Sequence, residues 1–320
     1  MKKIRIAVVG AGEFGKRHMR VLRTCARADL VAAVDIDPAR AREAAEQYGC
    51  EPLLDPRALK GKADAAVVAV PTTAHAEVGC ALLEEGMDIL VEKPIAQDLD
   101  SARRLMTTAA ERSRLLQVGH LERFNPAVEA LVKIVRLPLF FEIHRLSPFT
   151  PRSLDVDVVL DLMIHDIDVV LSLVGEMPED IRGVGISILT PKVDIANVRL
   201  TFPKGCVANL TASRVSTERV RKLRLFQPHE YLSLDYSKQE VFSLSVTGGQ
   251  TITSHPLEVR QQEPLRGELE AFLDCIESRA RPLVDGQSGL RALEVALAIL
   301  DRIKEHSRVV AQSLASVRKT

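Results

Sequence analysis

The stretch that decides the fold is Ile4-Arg5-Ile6-Ala7-Val8-Val9-Gly10-Ala11-Gly12-Glu13-Phe14-Gly15, near the start of the chain. Its first six residues are mostly apolar and β-branched, which predicts a buried parallel strand. Three glycines at G-x-G-x-x-G spacing follow and open a helix. Gly10 allows the tight turn, Gly12 leaves room for a pyrophosphate, and Gly15 allows close packing of helix on strand. The stretch therefore predicts a phosphate-binding turn, the alternative being a glycine-rich turn without a ligand.

A carboxylate in the expected place strengthens this interpretation. Asp35 stands twenty residues past Gly15, directly after the apolar run at 30–34. From that position a carboxylate accepts both ribose hydroxyls of NAD and repels the 2′-phosphate of NADP. With strand, helix, second strand and acid in register, we expect NAD as the cofactor. The residues between the glycines, Glu13 and Phe14, belong to the same expected cofactor site.

Composition limits the kinds of partner. The 320 residues exceed one usual core and predict two domains. Lys plus Arg equals Asp plus Glu at 43 each, so no global charge favours nucleic acid or an acidic membrane. We expect no membrane span, because no apolar run approaches about 20 residues, and no cleavable signal, because a strand begins at Ile4. The five cysteines lie far apart without a CxxC pair, which predicts neither a metal site nor disulfides and favours a cytoplasmic setting.

Strands and helices alternate through the first 120 residues. This rhythm predicts an α/β fold in which residues 1–120 form a Rossmann domain, a doubly wound parallel sheet. Asp37-Pro38 is expected to begin a helix that ends near Gly49. Ligands bind such sheets at the carboxyl ends of the strands. That edge is expected to carry further cofactor-binding residues, namely Pro71, Thr72, His75, Glu92, Lys93 and Pro94. His120, after the last strand, is expected at the same edge.

Lys93 has two interpretations in its sequence context. A lysine before proline at a strand end is held extended, because proline disfavours the α region for the preceding residue. Its side chain would then project over the edge that holds the nicotinamide. The alternative from the residues alone is a surface lysine that lies over the rim of the sheet. His75 and His120 are open to the same alternative, because polar side chains often end strands at the surface.

From residue 121 the alternation stops, and residues 121–320 are expected to form a second, α+β domain. Asn125-Pro126 predicts a helix start. Short alternating segments between 139 and 245 predict a largely antiparallel open sheet, with Pro203-Lys204-Gly205 as a hairpin turn. Two helices are expected to close the chain, over about 264–279 and 288–307, followed by a loose tail from Arg308.

The segment 155–175 predicts a helix that is apolar on almost every side. On a helical wheel its polar residues fall within about 40° of one line. These residues are Asp157, Asp161, His165, Asp168 and Ser172, whereas Asp166 lies off the line. Buried carboxylates are costly, so the line is expected either to border a wet cleft or to be neutralised by arginines in a structural network.

Three features together resemble the Gfo/Idh/MocA oxidoreductases: the glycine motif, the triplet Glu92-Lys93-Pro94, and the helix with Asp161 and His165. The resemblance implies that Lys93, Asp161 and His165 line a catalytic centre. His165 would act as the base, Lys93 would polarise the oxygen or itself serve as base, and Asp161 would orient the imidazole or a neighbouring substrate hydroxyl. It also implies that the sheet of the second domain builds homodimers or homotetramers.

Two stretches, 118–127 and 160–168, resemble the branch of that family that oxidises the 3-hydroxyl of UDP-N-acetylglucosamine. The substrate-binding residues expected on this basis are His120, Arg123, Asn125, Arg145 and Asp168. A diphosphate also needs cations, for which Arg123, Arg145, Arg152 and Arg214 are available. Taken singly, however, each of these arginines is better explained as a surface or network residue. Two alternatives stay open: a dehydrogenase of a free polyol or monosaccharide, and a non-catalytic regulatory protein that binds a nicotinamide cofactor.

Overall fold

A computed structural model of the protein describes residues 3–150, 156–247 and 251–317, without side chains for 247 and 309–317. The chain divides into two compact units. The first unit comprises the residues up to Phe124 together with Glu263–Leu290, and the second comprises Asn125–Gln262 together with the chain from Arg291 onward. The expected domains, 1–120 and 121–320, differ from these units mainly by the segment Glu263–Leu290.

The strands and helices alternate along the first part of the chain, whereas strands dominate the second. The first part forms β1 Ile4–Val9, α1 Glu13–Arg23, β2 Ala28–Val34, α2 Pro38–Tyr48, β3 Glu51–Leu53, β4 Ala65–Val68, α3 His75–Glu84, β5 Asp88–Glu92, α4 Leu99–Glu111 and β6 Leu116–Gly119. The rest forms α5 Pro126–Ile134, β7 Phe140–Leu146, α6 Ile164–Val174, β8 Asp180–Ile186, β9 Ile195–Thr201, β10 Val207–Ser213, β11 Val220–Gln227, β12 Glu230–Asp235, β13 Glu240–Thr247, β14 Thr251–Pro256, α7 Pro264–Ser278 and α8 Gly286–Val317.

The first unit contains the predicted Rossmann sheet. Its six strands lie in the order β3-β2-β1-β4-β5-β6, and every neighbouring pair is parallel. The helix start at Asp37 is confirmed, since its side chain accepts the backbone N–H of Ala39 at 2.9 Å, and Gly49 ends α2 in the left-handed conformation. The carboxyl ends of all six strands therefore face one edge of this sheet.

Helix α7 joins the first unit through contacts that are distant in sequence. The Gln117 amide on β6 donates to the backbone carbonyl of Glu268 on α7 at 3.1 Å. At the end of α7, Arg279 forms an ion pair with the buried Asp88 at the start of β5. These contacts explain why the division near residue 120 is not a single cut in the sequence. Helix α7 follows the strands of the second unit in the sequence but packs on the sheet of the first.

The second unit is built on an eight-stranded sheet with the order β14-β13-β12-β11-β7-β10-β9-β8. All neighbouring strands are antiparallel except β7 and β10, which are parallel. Helices α5, α6 and α8 bury one face of the sheet in a common apolar core. The predicted largely antiparallel sheet is confirmed, as is the hairpin turn, in which Gly205 takes a positive φ and donates its N–H to Phe202 at 2.9 Å.

Two helices differ from expectation. Helix α8 continues to Val317, past the predicted tail from Arg308, because no glycine or proline interrupts that stretch. The predicted helix over 155–175 instead consists of a π-helical turn, Val159–Met163, followed by α6. Among the helices of the described residues, none combines the length and apolar composition needed to cross a membrane.

Candidate active site

The glycine turn has the geometry of an anion cradle. Gly10 has φ +98°, and a Cβ there would lie 2.3 Å from the carbonyl oxygen of Ala69. A Cβ on Gly15 would lie 1.7 Å from the carbonyl oxygen of Gly10, so helix α1 approaches the turn as closely as glycine permits. At Gly12, by contrast, no heavy atom of the described chain lies within 4 Å of an added Cβ. Fold constraints thus explain Gly10 and Gly15, whereas the space at Gly12 is free for a ligand.

Asp35 lies at the end of β2 beside this turn. One of its carboxylate oxygens accepts the N–H of Ala11 at 2.8 Å, and the other accepts the N–H of Asp37 at 2.9 Å. Each carboxylate oxygen can accept further hydrogen bonds, so both remain able to bind ribose hydroxyls. Ile36, the next residue, is 90% exposed. An exposed apolar side chain at this position is suited to cover the nucleoside base next to the ribose that Asp35 is expected to bind.

The loop after β4 is held to the loop after β5 by His75. Pro71 precedes a 3-10 turn, Thr72–Ala74, and His75 then begins α3. The buried imidazole lies between two carbonyl oxygens, with Nδ1 2.8 Å from that of Pro94 and Nε2 3.0 Å from that of Val70. Burial lowers the pKa of His75, against the opposing effect of these carbonyl contacts. His75 therefore shapes this edge from within.

Glu92 and Lys93 follow directly at the end of β5. The Glu92 carboxylate lies 2.7 Å from Nε2 of the buried His18 on α1 and accepts the backbone N–H of Lys93 at 3.3 Å. A Cβ on Gly119 would lie 3.1 Å from the Glu92 carboxylate, so a larger residue at this position of β6 would crowd the carboxylate. The peptide bond between Lys93 and Pro94 is cis. Glu92 thus joins the helix of the glycine turn to the backbone that carries Lys93.

The residues after β6 are less exposed than the sequence suggested. His120 is buried, and Arg123 lies in a 3-10 turn, Leu121–Phe124. Asn125 is buried in the second unit, where its side chain caps α5 at the N–H of Ala127 and donates to the carbonyl of Tyr236, both at 3.1 Å. The predicted cap is confirmed, and it commits the Asn125 amide to structural contacts.

The polar line on the second unit is divided by the π-helical turn. Asp161 lies within this turn, whereas His165 lies in the first turn of α6, and both are partly exposed. Single π turns inside helices occur frequently at functional sites. Asp157 lies before the turn and accepts the N–H of Val193 at 2.9 Å. The stretch therefore does not follow the uniform wheel on which the sequence placed it.

Two of the four arginines considered for the diphosphate hold buried acids. Arg145 donates from Nε and Nη2 to the buried Asp166, both at 2.8 Å, and lies over the ring of Tyr236. Arg214 pairs with Asp194 at 3.6 Å. Arginines therefore do neutralise buried acids, as one of the two interpretations of the polar line expected. On α6, however, the neutralised acid is Asp166, which does not belong to that line. Asp168 is also buried. Arg152 lies outside the described residues.

Two residues in contact with the expected site were missed from the sequence. His18 and Glu268 carry ligand-type atoms that lie, with those of Glu92, within 4.8 Å of one another. His18 is separated from Gly15 by a single helical turn, a spacing that points it back toward the sheet. No nearby sequence feature indicates a role for Glu268, because only the packing of α7 brings it close to His18 and Glu92.

The geometry of the first unit fits NAD. The turn offers an open cradle above Gly12, the N-terminus of α1 follows it, and Asp35 stands beside it. These features suit a pyrophosphate and an adjacent ribose.

Comparison with known proteins agrees with this fit. Residues 4–120 match the model of the oxidoreductase family GFO_IDH_MocA, NAD-binding Rossmann fold, and residues 139–227 match the GFO/IDH/MocA C-terminal domain. The UDP-N-acetylglucosamine 3-dehydrogenase of Acidithiobacillus ferrooxidans is 34% identical over 93% of this chain and 97% of its own. Its solved structure gives a TM-score of 0.90, with 33% identity over 95% of this chain and 99% of that one.

Two further relatives extend the comparison. The inositol 2-dehydrogenase of Rhizobium meliloti is 27% identical over 96% of this chain and 98% of its own. A solved oxidoreductase from Agrobacterium radiobacter, in complex with NAD+, L-tartaric acid and magnesium, has a TM-score of 0.85 at 16% identity, over 95% of this chain and 97% of that one. This last likeness shows the shared fold alone.

Proposed function

The chain belongs to the Gfo/Idh/MocA family of NAD-dependent oxidoreductases, and on that premise we propose that it oxidises the 3-hydroxyl of a UDP-N-acetylhexosamine, with UDP-N-acetylglucosamine as the expected substrate. One observation carries the choice of substrate. The relative named for that reaction aligns along nearly its whole length at 34% identity, against 27% for the inositol dehydrogenase. A free polyol or monosaccharide is the second candidate, favoured by the engagement of Arg145 and Arg214 with internal acids.

The proposed chemistry assigns each step to a side chain of this chain. NAD, when bound, supplies the acceptor for the hydride of the carbinol carbon. His165 takes the hydroxyl proton, because imidazole is the side chain that serves most often as a general base. Lys93 stabilises the oxygen while it becomes a carbonyl oxygen. Asp161, one turn before His165, orients the imidazole. His120, Arg123, Arg145 and Asp168 are proposed to contact the substrate.

An absorbance assay tests the substrate. The protein is mixed with NAD and, separately, with UDP-N-acetylglucosamine, other UDP-sugars, inositols and monosaccharides, and formation of reduced nicotinamide is followed. We expect turnover with UDP-N-acetylglucosamine above all others. Highest turnover with an inositol would transfer the proposal to the polyol class. Tight NAD binding with no turnover across the panel would instead identify a regulatory protein.

Side-chain variants test the assigned roles. Lys93→Met and His165→Ala should each keep NAD affinity and lose turnover by about 100-fold or more. Lys133→Met, which removes an exposed lysine on α5, serves as the control and should keep full turnover. Near-normal turnover in both site variants would contradict the assignment while leaving the substrate result in force.

We propose that the chain forms a homodimer or homotetramer through the open face of the eight-stranded sheet. The support is a row of side chains across four neighbouring strands, Phe140, Phe226, Tyr231 and Leu244, which pair directly in register. Phe226 and Leu244 are 38% and 37% exposed. Exposed apolar surface of this kind marks interaction sites. Leu244→Glu should lower the mass measured by light scattering, whereas a monomeric parent protein would contradict the proposal.

A cytoplasmic location is also proposed. All five cysteines are free thiols, as is usual in reducing compartments. Recovery of the native protein from a cytoplasmic fraction of its source cells is the corresponding test.

A further inference from the structure

The carboxyl group of Glu268 on α7 is fully buried. It is 0% exposed, and neither of its oxygens accepts a hydrogen bond from a donor in the described part of the chain. Burying a polar group without a hydrogen bond costs several kcal/mol, and burying a charge costs more. A residue of this kind calls for an explanation beyond packing, because leucine would fill a similar volume without the penalty.

The neighbours of Glu268 indicate what its role is. Its carboxyl group lies within 4.8 Å of both the Glu92 carboxylate and the His18 imidazole. Two carboxylates at such a distance in a dry interior cannot both be ionised. Glu92 already has stabilising partners, since it contacts His18 at 2.7 Å and accepts the backbone N–H of Lys93 at 3.3 Å. The negative charge therefore belongs on Glu92.

The proton of the pair consequently belongs on Glu268. Burial, followed by the charge of Glu92, raises the pKa of Glu268 well above its ordinary value. Burial opposes ionisation of Glu92 as well, but the hydrogen bond and charge of His18 outweigh it and lower the pKa of Glu92. A neutral carboxylic acid carries one O–H donor, and a carboxylate is its strongest acceptor.

We propose that Glu268 is a positioning residue for Lys93: its neutral carboxyl group fixes the orientation of the Glu92 carboxylate, which in turn holds the backbone at Lys93. The inference rests on the proposed function of Lys93. Glu92 is the point at which three elements meet, because His18 lies on α1, Glu268 on α7, and Glu92 itself ends β5. Glycine at position 119 on β6 keeps the space beside this carboxylate open, because a Cβ there would lie 3.1 Å from it. A small displacement of a reacting group lowers the rate strongly.

Two substitutions at Glu268 separate its polar role from its volume. Glu268→Gln keeps a neutral donor of the same shape, and we expect its kcat and both KM values to match those of the parent protein. Glu268→Leu removes the donor. Its kcat should fall about tenfold or more with the KM for NAD unchanged, because the cofactor contacts at the glycine turn and Asp35 are untouched.

A packing control on the same helix excludes a merely structural effect. Leu273 is also buried on α7, and Leu273→Ala should lower the melting temperature while keeping kcat. Infrared spectroscopy gives a readout that does not depend on activity: the C=O band of a protonated carboxylic acid should be present in the parent protein and missing in Glu268→Gln.

Each other outcome overturns the inference. Unchanged kcat in Glu268→Leu, an equal loss of kcat in Glu268→Gln, or an equal loss in Leu273→Ala would refute a positioning role. Absence of the infrared difference would refute the neutral carboxyl group. One equivalent of a divalent metal that is lost in Glu268→Gln would show a metal site instead. If Lys93→Met keeps full turnover, the proposed role of Lys93 fails, whereas loss of turnover in Lys93→Met with full turnover in Glu268→Leu defeats only this inference.

Discussion

Replacing Gly12 by alanine separates the ligand-binding role of the turn from its role in the fold. The backbone at Gly12 has φ −71°, which any residue adopts, and an added Cβ meets no heavy atom of the described residues within 4 Å. The free energy of unfolding should therefore stay unchanged or rise by about 0.4–1 kcal/mol, because alanine restricts the unfolded chain. The methyl group nevertheless occupies the space where the pyrophosphate is expected. Overpacking costs about 1–3 kcal/mol, which weakens NAD binding about 5- to 140-fold.

Calorimetric titration with NAD and unfolding in urea measure the two quantities in the same samples. Gly15→Ala is the matched control. Its Cβ would lie 1.7 Å from the carbonyl oxygen of Gly10, so we expect a loss of about 3 kcal/mol or more of stability. If Gly12→Ala binds NAD as tightly as the parent protein, or is destabilised as strongly as Gly15→Ala, the cradle is not where the glycine geometry places it.

Three charged groups lead to further predictions. Asp35→Asn removes the charge that repels a 2′-phosphate while keeping the side-chain shape, so the ratio of kcat/KM for NAD over NADP should fall about tenfold or more; an unchanged ratio would show that another residue discriminates. Burial opposes ionisation of Asp194, but hydrogen bonds from Thr190 and from the backbone N–H groups of residues 188–190 outweigh it and lower its pKa from 3.8 to about 2. Because the pKa of Asp194 is depressed in the folded state, this group adds about 2 kcal/mol of stability above about pH 4, and this stability is lost as the pH falls toward 2. In urea unfolding, Asp194→Asn should therefore be less stable than the parent protein at pH 7, and the difference should be smaller at pH 3. Arg145→Met leaves the Asp166 carboxylate buried without its cation and should lower the free energy of unfolding in urea by about 3–5 kcal/mol. The double variant with Asp166→Leu should restore most of this loss; a double variant as unstable as the single one would show that packing, not charge, explains the loss.

Local signals predicted the elements they control. Asp37 and Asn125 were recognised as helix caps from one or two neighbouring residues, and both cap as expected. The glycine turn and Asp35 were recognised because spacing along the chain fixes their geometry. The edge strand β14 was not recognised from the sequence, because Thr251–Pro256 is polar and mostly exposed and lacks an alternating apolar pattern.

Features that depend on tertiary contacts escaped the sequence. A helical wheel assumes one period, so it cannot show that Asp161 lies in a π-helical turn. Arg145 and Asp166 are 21 residues apart, and only the packing of β7 against α6 makes them an ion pair. Glu268 and Glu92 meet for the same reason, after α7 has returned to the first sheet. The surroundings of these polar residues were therefore harder to predict than the fold that carries them.

The most direct test of the proposed oxidation follows one hydrogen atom. UDP-N-acetylglucosamine carrying deuterium at carbon 3 is incubated with the protein and NAD, and the reduced cofactor is analysed by mass spectrometry. Hydride transfer from the 3-carbinol predicts one deuterium in the nicotinamide ring and a 3-keto sugar as the product. Reduced cofactor without deuterium, or no reduction of NAD by this sugar, would contradict the proposed reaction.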